Sequence, residues 1–152
     1  IVHLYEERGA ECVQELRGMF AFALWDVKTQ KLLIARDRFG KKPLYYAHTD
    51  EGLWFGSELK SLLCVPNLPC DIDASAVDDY LALGYMPAPQ SIFRAMRKLP
   101  PASVLEWRTG QIQIRRYWRL QWAVNPSVNE HEAVEGLRAA WRRLRLCRRG
   151  PT

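Results

Sequence analysis

Most of the side chains whose types and spacing could do chemistry lie in one run, Arg36-Asp37-Arg38-Phe39-Gly40-Lys41-Lys42-Pro43. A guanidinium beside a carboxylate at a strand end, with Gly40 free to take positive φ, is a common geometry for a catalytic or anion-binding pair. The same doublet can hold a corner of the chain while Pro43 fixes its exit direction. That structural reading is preferred for Arg36, Asp37, Gly40 and Pro43. Lys41 and Lys42 could meet phosphate, but without a glycine-rich cradle they read as solvated turn lysines. Ser57-Glu58 could be an acid–base pair. A serine opening a helix with glutamate next fits capping and the helix dipole without any reaction, so Ser57 and Glu58 are also read as structural. Cys12, Cys64, Cys70 and Cys147 lack CxxC spacing, and His3, His48 and His131 match no zinc pattern. Buried free thiols and no metal site are expected.

These residues need a folded frame, and the composition supplies one. The chain has 152 residues, 48% hydrophobic and 26% charged, with no low-complexity tract, which suits a soluble domain with a core and excludes a disordered chain. Its longest apolar stretches, such as Met19 to Trp25, fall far short of the ~20 residues that cross a bilayer. The opening residues lack the basic start and long apolar centre of a secretory signal, so the cytoplasm is the expected location. The net charge of +5 hints at nucleic acid until its position is considered: residues 138–152 hold six arginines and no acid, leaving −1 on the rest. No aromatic interleaving or known module accompanies the arginines, so a nucleic-acid partner is not expected.

Along the chain, Ile1 to about Arg8 reads as a helix stopped by Gly9, with Val2, Leu4 and Tyr5 able to share one side. Met19 to Trp25 is apolar on both parities, as in a strand covered on both faces, and the polar turn Lys28-Thr29-Gln30 leads into a strand at Lys31 to Ala35. After the Arg36–Pro43 corner, Leu44 to Ala47 is a strand, Asp50-Glu51-Gly52 a hairpin turn and Leu53 to Gly56 the returning strand. Ser57 then caps a short helix, Glu58 to Leu63. Asp73 caps a helix from about Ala74 to Leu83 ended by Gly84, beyond which Pro87 and Pro89 forbid continuation. Val104 to Trp107 and Ile112 to Arg116 flank Thr109-Gly110 as a further hairpin. Arg119 to Asn129, with Pro126, reads as a linker. Asn129 or a neighbour caps a last helix, Glu130 to Leu146, with Val134, Leu137, Trp141 and Leu144 at helical spacing. Strand pairs interleaved with short helices predict an α+β layered domain.

Three blocks then matter together: Leu16 to Asp26 (LRGMFAFALWD), Ala35 to Tyr46 (ARDRFGKKPLYY) and Phe55 to Leu62 (FGSELKSL), followed by Tyr80 to Pro89, Ile92 to Pro101 and Arg116-Tyr117-Trp118. In order and spacing they resemble the glutamine-hydrolysing asparagine synthetases. The resemblance implies the C-terminal part of an N-terminal-nucleophile glutaminase domain, layered αββα and incomplete, over residues 1–118 with the inter-domain segment. A linker over 119–129 and the start of a synthetase domain over 130–152 would follow. It implies a parent enzyme, a carbon–nitrogen ligase using ATP and Mg, in which a terminal cysteine attacks the glutamine carboxamide and the ammonia passes to activated aspartate. Small-molecule substrates (glutamine, aspartate, ATP), no membrane and a possible homodimer belong to the same expectation.

Within the chain itself no catalytic or substrate-binding residue is expected. Cys12 is internal and carries no free amine, so it cannot act as the terminal nucleophile. The family's glutamine-site residues would precede Ile1, and Cys147 to Thr152 departs from the approach to a pyrophosphate loop. The expectation is therefore an inactive, cofactor-free fragment whose exposed strand edges make it fold poorly. A related amidotransferase acting on another carboxylate, and a non-catalytic module with a basic tail, are the alternatives.

Overall fold

The computed structural model describes residues 1–123 and 127–147, with side chains to 143. The chain divides into two compact units, Ile1–Arg119 and Leu120–Thr152.

The first unit starts with helix α1 (Val2–Arg8), which ends where Gly9, at φ 57°, donates its N–H to the Tyr5 carbonyl. A 3-10 turn (Gly9–Glu11) and the single helical turn α2 (Cys12–Glu15) follow. The strands are β1 (Ala21–Asp26), β2 (Lys31–Arg36), β3 (Tyr45–Thr49), β4 (Gly52–Gly56), β5 (Met96–Lys98), β6 (Ser103–Arg108) and β7 (Gln111–Arg116). Between β4 and β5 lie helices α3 (Leu59–Leu62) and α4 (Ala74–Leu83).

Two antiparallel sheets form, ordered β1-β2-β6-β7 and β4-β3-β5. Because successive residues of a strand point to opposite faces, the apolar positions of each strand feed different layers. Leu33 and Ala35 of β2 and Val104 of β6 pack on Cys12 and Val13, with Leu4 and Tyr5 of α1 against them. Ile34 and Leu105, on the other face, meet Leu44, Tyr46 and Leu99, with Leu53 of β4 against the same cluster, so the two sheets pack face to face. Ala47 and Met96 on the far face of the second sheet pack on Leu62 of α3 and Leu68. The order is helix, sheet, sheet, helix, the predicted α+β layering.

Four expectations change. Among the described residues β1 is an edge strand that pairs with β2 alone, and Trp25 is 44% exposed, so this strand is not covered on both faces. Its apolar residues of both parities are explained in part by ring contacts, as Trp25 lies 6.1 Å from Trp107. β5 has three residues, too few to carry a periodic signal, and was not anticipated. Helix α3 begins one residue later than expected, with Glu58 at the N-cap and no side-chain cap, because the chain is still extended at Glu58, so Ser57 is not the cap. Of the thiols, Cys12 is buried but Cys64 and Cys70 are exposed, since they follow α3 into the surface connector rather than a core strand.

The Asp26 carboxylate makes the β1–β2 turn, accepting from Lys28 N at 2.9 Å, Thr29 N at 3.2 Å and the Thr29 hydroxyl at 2.7 Å. Helix α4 has the expected ends: the Asp73 carboxylate accepts from Ser75 N, and Gly84 adopts a left-handed φ of 75°. In the second unit, helix α5 (Glu130–Cys147) starts at a reciprocal cap. Asn129 Oδ1 accepts from Glu132 N at 2.9 Å, and Glu132 Oε2 accepts from Asn129 N at 3.3 Å. The expected linker proline, Pro126, and the side chain of Leu144 lie outside the described residues. No described helix is long and apolar enough to cross a membrane.

Candidate functional site: the Arg36–Asp37 corner

Strand β2 ends at Arg36, and the chain must leave the sheet within a few residues to enter β3. Asp37, 1% exposed, organises that exit. Its Oδ1 accepts from the backbone N–H groups of Phe39 at 3.1 Å and Lys41 at 3.0 Å, and its Oδ2 from that of Lys42 at 3.0 Å. Its own backbone is also used: the N–H donates to the Phe20 carbonyl at 2.9 Å, and the carbonyl accepts from Gly40 N at 3.0 Å and Ala102 N at 2.9 Å. Burial pushes the Asp37 carboxyl up, but the N–H groups of Lys42, Lys41 and Phe39 outweigh it and hold the group below the ordinary carboxylate range.

Arg36 points its guanidinium at carbonyls rather than at a carboxylate. It donates to Lys42 O at 2.8 Å, Leu99 O at 2.6 Å and Gly40 O at 2.7 Å, clamping both sides of the corner to the segment that precedes β6. Gly40 is required twice. Its φ is 62°, and a Cβ there would stand 2.9 Å from Pro101 Cγ and 3.1 Å from Arg36 Cζ. Pro43 follows Lys42, whose carbonyl Arg36 holds, and leads into buried Leu44.

The residues that close the corner from outside were read from the sequence as part of a block, not as site residues. The Tyr117 hydroxyl donates to the Arg36 carbonyl at 3.0 Å, and Tyr117 N donates to Ala102 O at 2.8 Å. Burial pushes the Tyr117 hydroxyl up to about 12, so it stays protonated and remains a donor. Trp118 stacks edge-on with Phe39 at 5.4 Å and lies 5.7 Å from the Arg38 guanidinium, while Arg38 donates to Gln14 O at 2.9 Å. The block Arg116-Tyr117-Trp118 carried a signal in the sequence, but nothing local said that it reaches back eighty residues.

Ser57 and Glu58 lie after β4, and no hydrogen bond or ion pair among the described residues joins them to this corner. Glu58 pairs with Lys60 at 2.6 Å on the surface. The structure thus brings Arg36, Asp37, Gly40 and Pro43 together and leaves Ser57 and Glu58 apart.

Chemically the Arg36 guanidinium and the Asp37 carboxylate are committed to the backbone. An anion such as a nucleotide phosphate would need the N–H groups that Asp37 already occupies, so ATP does not fit here. Among the described residues no group of three or more His, Cys, Asp or Glu could hold a metal ion. Burial raises the Cys12 thiol, opposite to the activation of a nucleophile. A larger cavity, of about 680 Å³, lies between α1 and the β1–β2 turn, lined in part by Tyr5, Trp25 and Asp26. The Asp26 carboxylate there is committed to the turn and to the Tyr5 hydroxyl at 3.2 Å.

A layered α+β unit closed by this Arg-Asp-x-x-Gly-x-x-Pro corner belongs to a definite class. The chain is a member of the glutamine amidotransferase domain family, whose model matches residues 1–118. More particularly, it is 35% identical over 122 residues to asparagine synthetase [glutamine-hydrolyzing] 3 of Bacillus subtilis, covering 80% of this chain and 20% of that protein. It is 39% identical over 133 residues to the putative asparagine synthetase [glutamine-hydrolyzing] of Mycobacterium bovis, covering 84% and 20%. A relative of different name, amidase chyE of Penicillium rubens, is 30% identical over 142 residues, covering 91% and 20%. The chain therefore spans about a fifth of the length of the curated relatives it matches.

Proposed function

We propose that the chain is part of a glutamine-hydrolysing asparagine synthetase, in which ammonia released from glutamine is transferred to aspartate at the expense of ATP. The observation that carries this is the alignment of most of the chain with relatives named as such synthetases. Residues 1–118 then belong to the glutaminase domain and the segment joining it to the next, 119–129 to a linker, and 130–152 to the opening of the synthetase domain. ATP and Mg act in the parent through residues other than these, and a soluble cytoplasmic homodimer is the accompanying reading.

In this reading Arg36, Asp37, Gly40 and Pro43 do not touch substrate. The commitment of the Asp37 carboxylate and the Arg36 guanidinium to backbone groups supports giving them the task of fixing the β2–β3 exit, and with it the stacking of one sheet on the other. Ser57 and Glu58 serve the turn into α3. The 152-residue chain should show no glutaminase turnover, since Cys12 is sealed in the core and its thiol is raised by burial.

The test is amide formation by the parent enzyme from aspartate, glutamine and ATP, followed as asparagine and glutamate. Absence of asparagine, with an amide formed on another carboxylate, would replace this reading. That second reading, a related amidotransferase with a different acceptor, draws support from the relative named an amidase.

A further inference from the structure

A second set of chemically capable side chains lies between the sheets, away from the Asp37 corner. Tyr46 of β3 stands opposite Arg97 of β5, so the two side chains leave the same face of the three-stranded sheet. His48, two residues on from Tyr46, shares that face. It is the face toward the other sheet, because Tyr46 packs with Ile34 and Leu105. β5 and β7 are the outer strands of their respective sheets, and Ile112 of β7 closes the space from the opposite side. Together with Ala95 these residues line a cavity of about 260 Å³.

The polar groups here are not used up. Tyr46 is 7% exposed, and its hydroxyl makes no hydrogen bond among the described residues. The hydroxyl is not sealed in the core either, since the fully buried side-chain atoms without partners are Arg38 Nε and Trp107 Nε1. Arg97 forms no ion pair or hydrogen bond through its guanidinium among the described residues; burial pushes the Tyr46 hydroxyl up, and the Arg97 charge partly offsets this. His48 Nε2 lies 2.9 Å from the Gly110 carbonyl, which can only accept, so Nε2 carries the hydrogen and this bond fixes the ring. The Tyr46 hydroxyl, open to the cavity and without a protein partner among the described residues, is free to donate to whatever occupies it. The Arg97 guanidinium lines the same cavity, so an acceptor that is also an anion meets both groups at once.

We propose that this cavity binds a small oxyanion, a phosphate or the carboxylate of a short acid, with the Arg97 guanidinium and the Tyr46 hydroxyl as donors and Ile112 and Ala95 as apolar walls. Its volume is below the roughly 300–1,000 Å³ of sites for larger organic ligands, which excludes a nucleotide. The site is independent of the asparagine synthetase reading, since neither glutamine nor ATP takes part.

Calorimetric titration of the 152-residue chain with inorganic phosphate, and separately with succinate, tests the proposal. Saturable binding of at least one anion is expected, weakened about tenfold in Arg97→Gln and a few-fold in Tyr46→Phe, which loses a single oxygen atom. Arg97→Lys should recover part of the affinity, and Arg142→Gln/Arg143→Gln should change nothing. Phosphate binding alone assigns the site to phosphate, and succinate binding alone to carboxylates. Absence of saturation, equal affinity in wild type and Arg97→Gln, or loss only in the Arg142/Arg143 variant overturns the proposal. Arg97 is exposed, so its variants should keep the wild-type melting curve; should Arg97→Gln fail to fold, Tyr46→Phe carries the test.

Discussion

The Asp37 corner and helix α5 use arginines, carboxylates and aromatic rings in opposite ways. In the corner Asp37 and Arg36 find their partners inside the fold: the Asp37 oxygens take three backbone N–H groups, and Arg36 covers three carbonyls. On α5 the Arg138–Glu135 pair, at 2.7 Å, is solvent-exposed, and Val134, Leu137 and Trp141 are 39%, 66% and 63% exposed. The difference teaches where stability resides. A buried charge with backbone donors cannot be removed without stranding them, whereas an exposed pair or ring exchanges its partner for water.

The sharpest way to break this comparison is Asp37→Asn, which leaves the N–H groups of the corner facing an amide. A loss of about 3 kcal/mol in urea unfolding is expected. Its pH dependence has a definite sign. The folded carboxyl is depressed, so its contribution is fully present above the unfolded value, near ~3.9, and is lost as pH falls through the folded value. Wild type and Asp37→Asn should therefore differ most above about pH 4 and converge in strong acid. A constant difference across that range would remove Asp37 as the cause. Next, Gly40→Ala should cost about 2 kcal/mol by thermal melting, since the new methyl meets Pro101 at 2.9 Å on a left-handed backbone. Asn129→Ala should cost about 1 kcal/mol of helix stability, read as lost helicity by circular dichroism, because it removes the reciprocal cap of α5. The smallest effect belongs to Trp141→Gln, expected within about 0.5 kcal/mol of wild type. A large loss there would mean that the α5 face is covered.

Features were legible in the sequence where their cause is local. Asp73 and Gly84 mark the two ends of α4 within twelve residues of each other, and Asp50-Glu51-Gly52 and Thr109-Gly110 announce hairpins whose strands pair as the alternation predicts. Arg36, Asp37, Gly40 and Pro43 could be picked out together because one turn contains them all. What closes that turn could not be read in this way, since Leu99, Pro101, Ala102 and Tyr117 arrive from distant sequence and are chosen by the packing of β6 on β2. Strand β5 escaped for a related reason: three residues have no period, and its existence depends on β3 lying alongside. The same holds for the cavity beneath Arg97, whose residues come from β3, β5, β7 and the position before β5. β1 misled because its apolar residues suggest burial, while its place at the edge of the sheet is set by topology.

The central pairing of the four-stranded sheet joins Ile34 to Leu105, about seventy residues apart. During synthesis the β1–β2 hairpin emerges before β6 and waits while the whole second sheet and its helices are translated, on the order of ten seconds at ribosomal speeds. Through that interval Leu33 and Ile34 lie on a strand open along one side, without the β6 neighbour that will later cover it. Nascent chains of this domain are thus exposed to mispairing at one identifiable moment, and a chaperone that shields a bare β2 edge until β6 has left the ribosome would raise the yield of folded protein more than one acting after release.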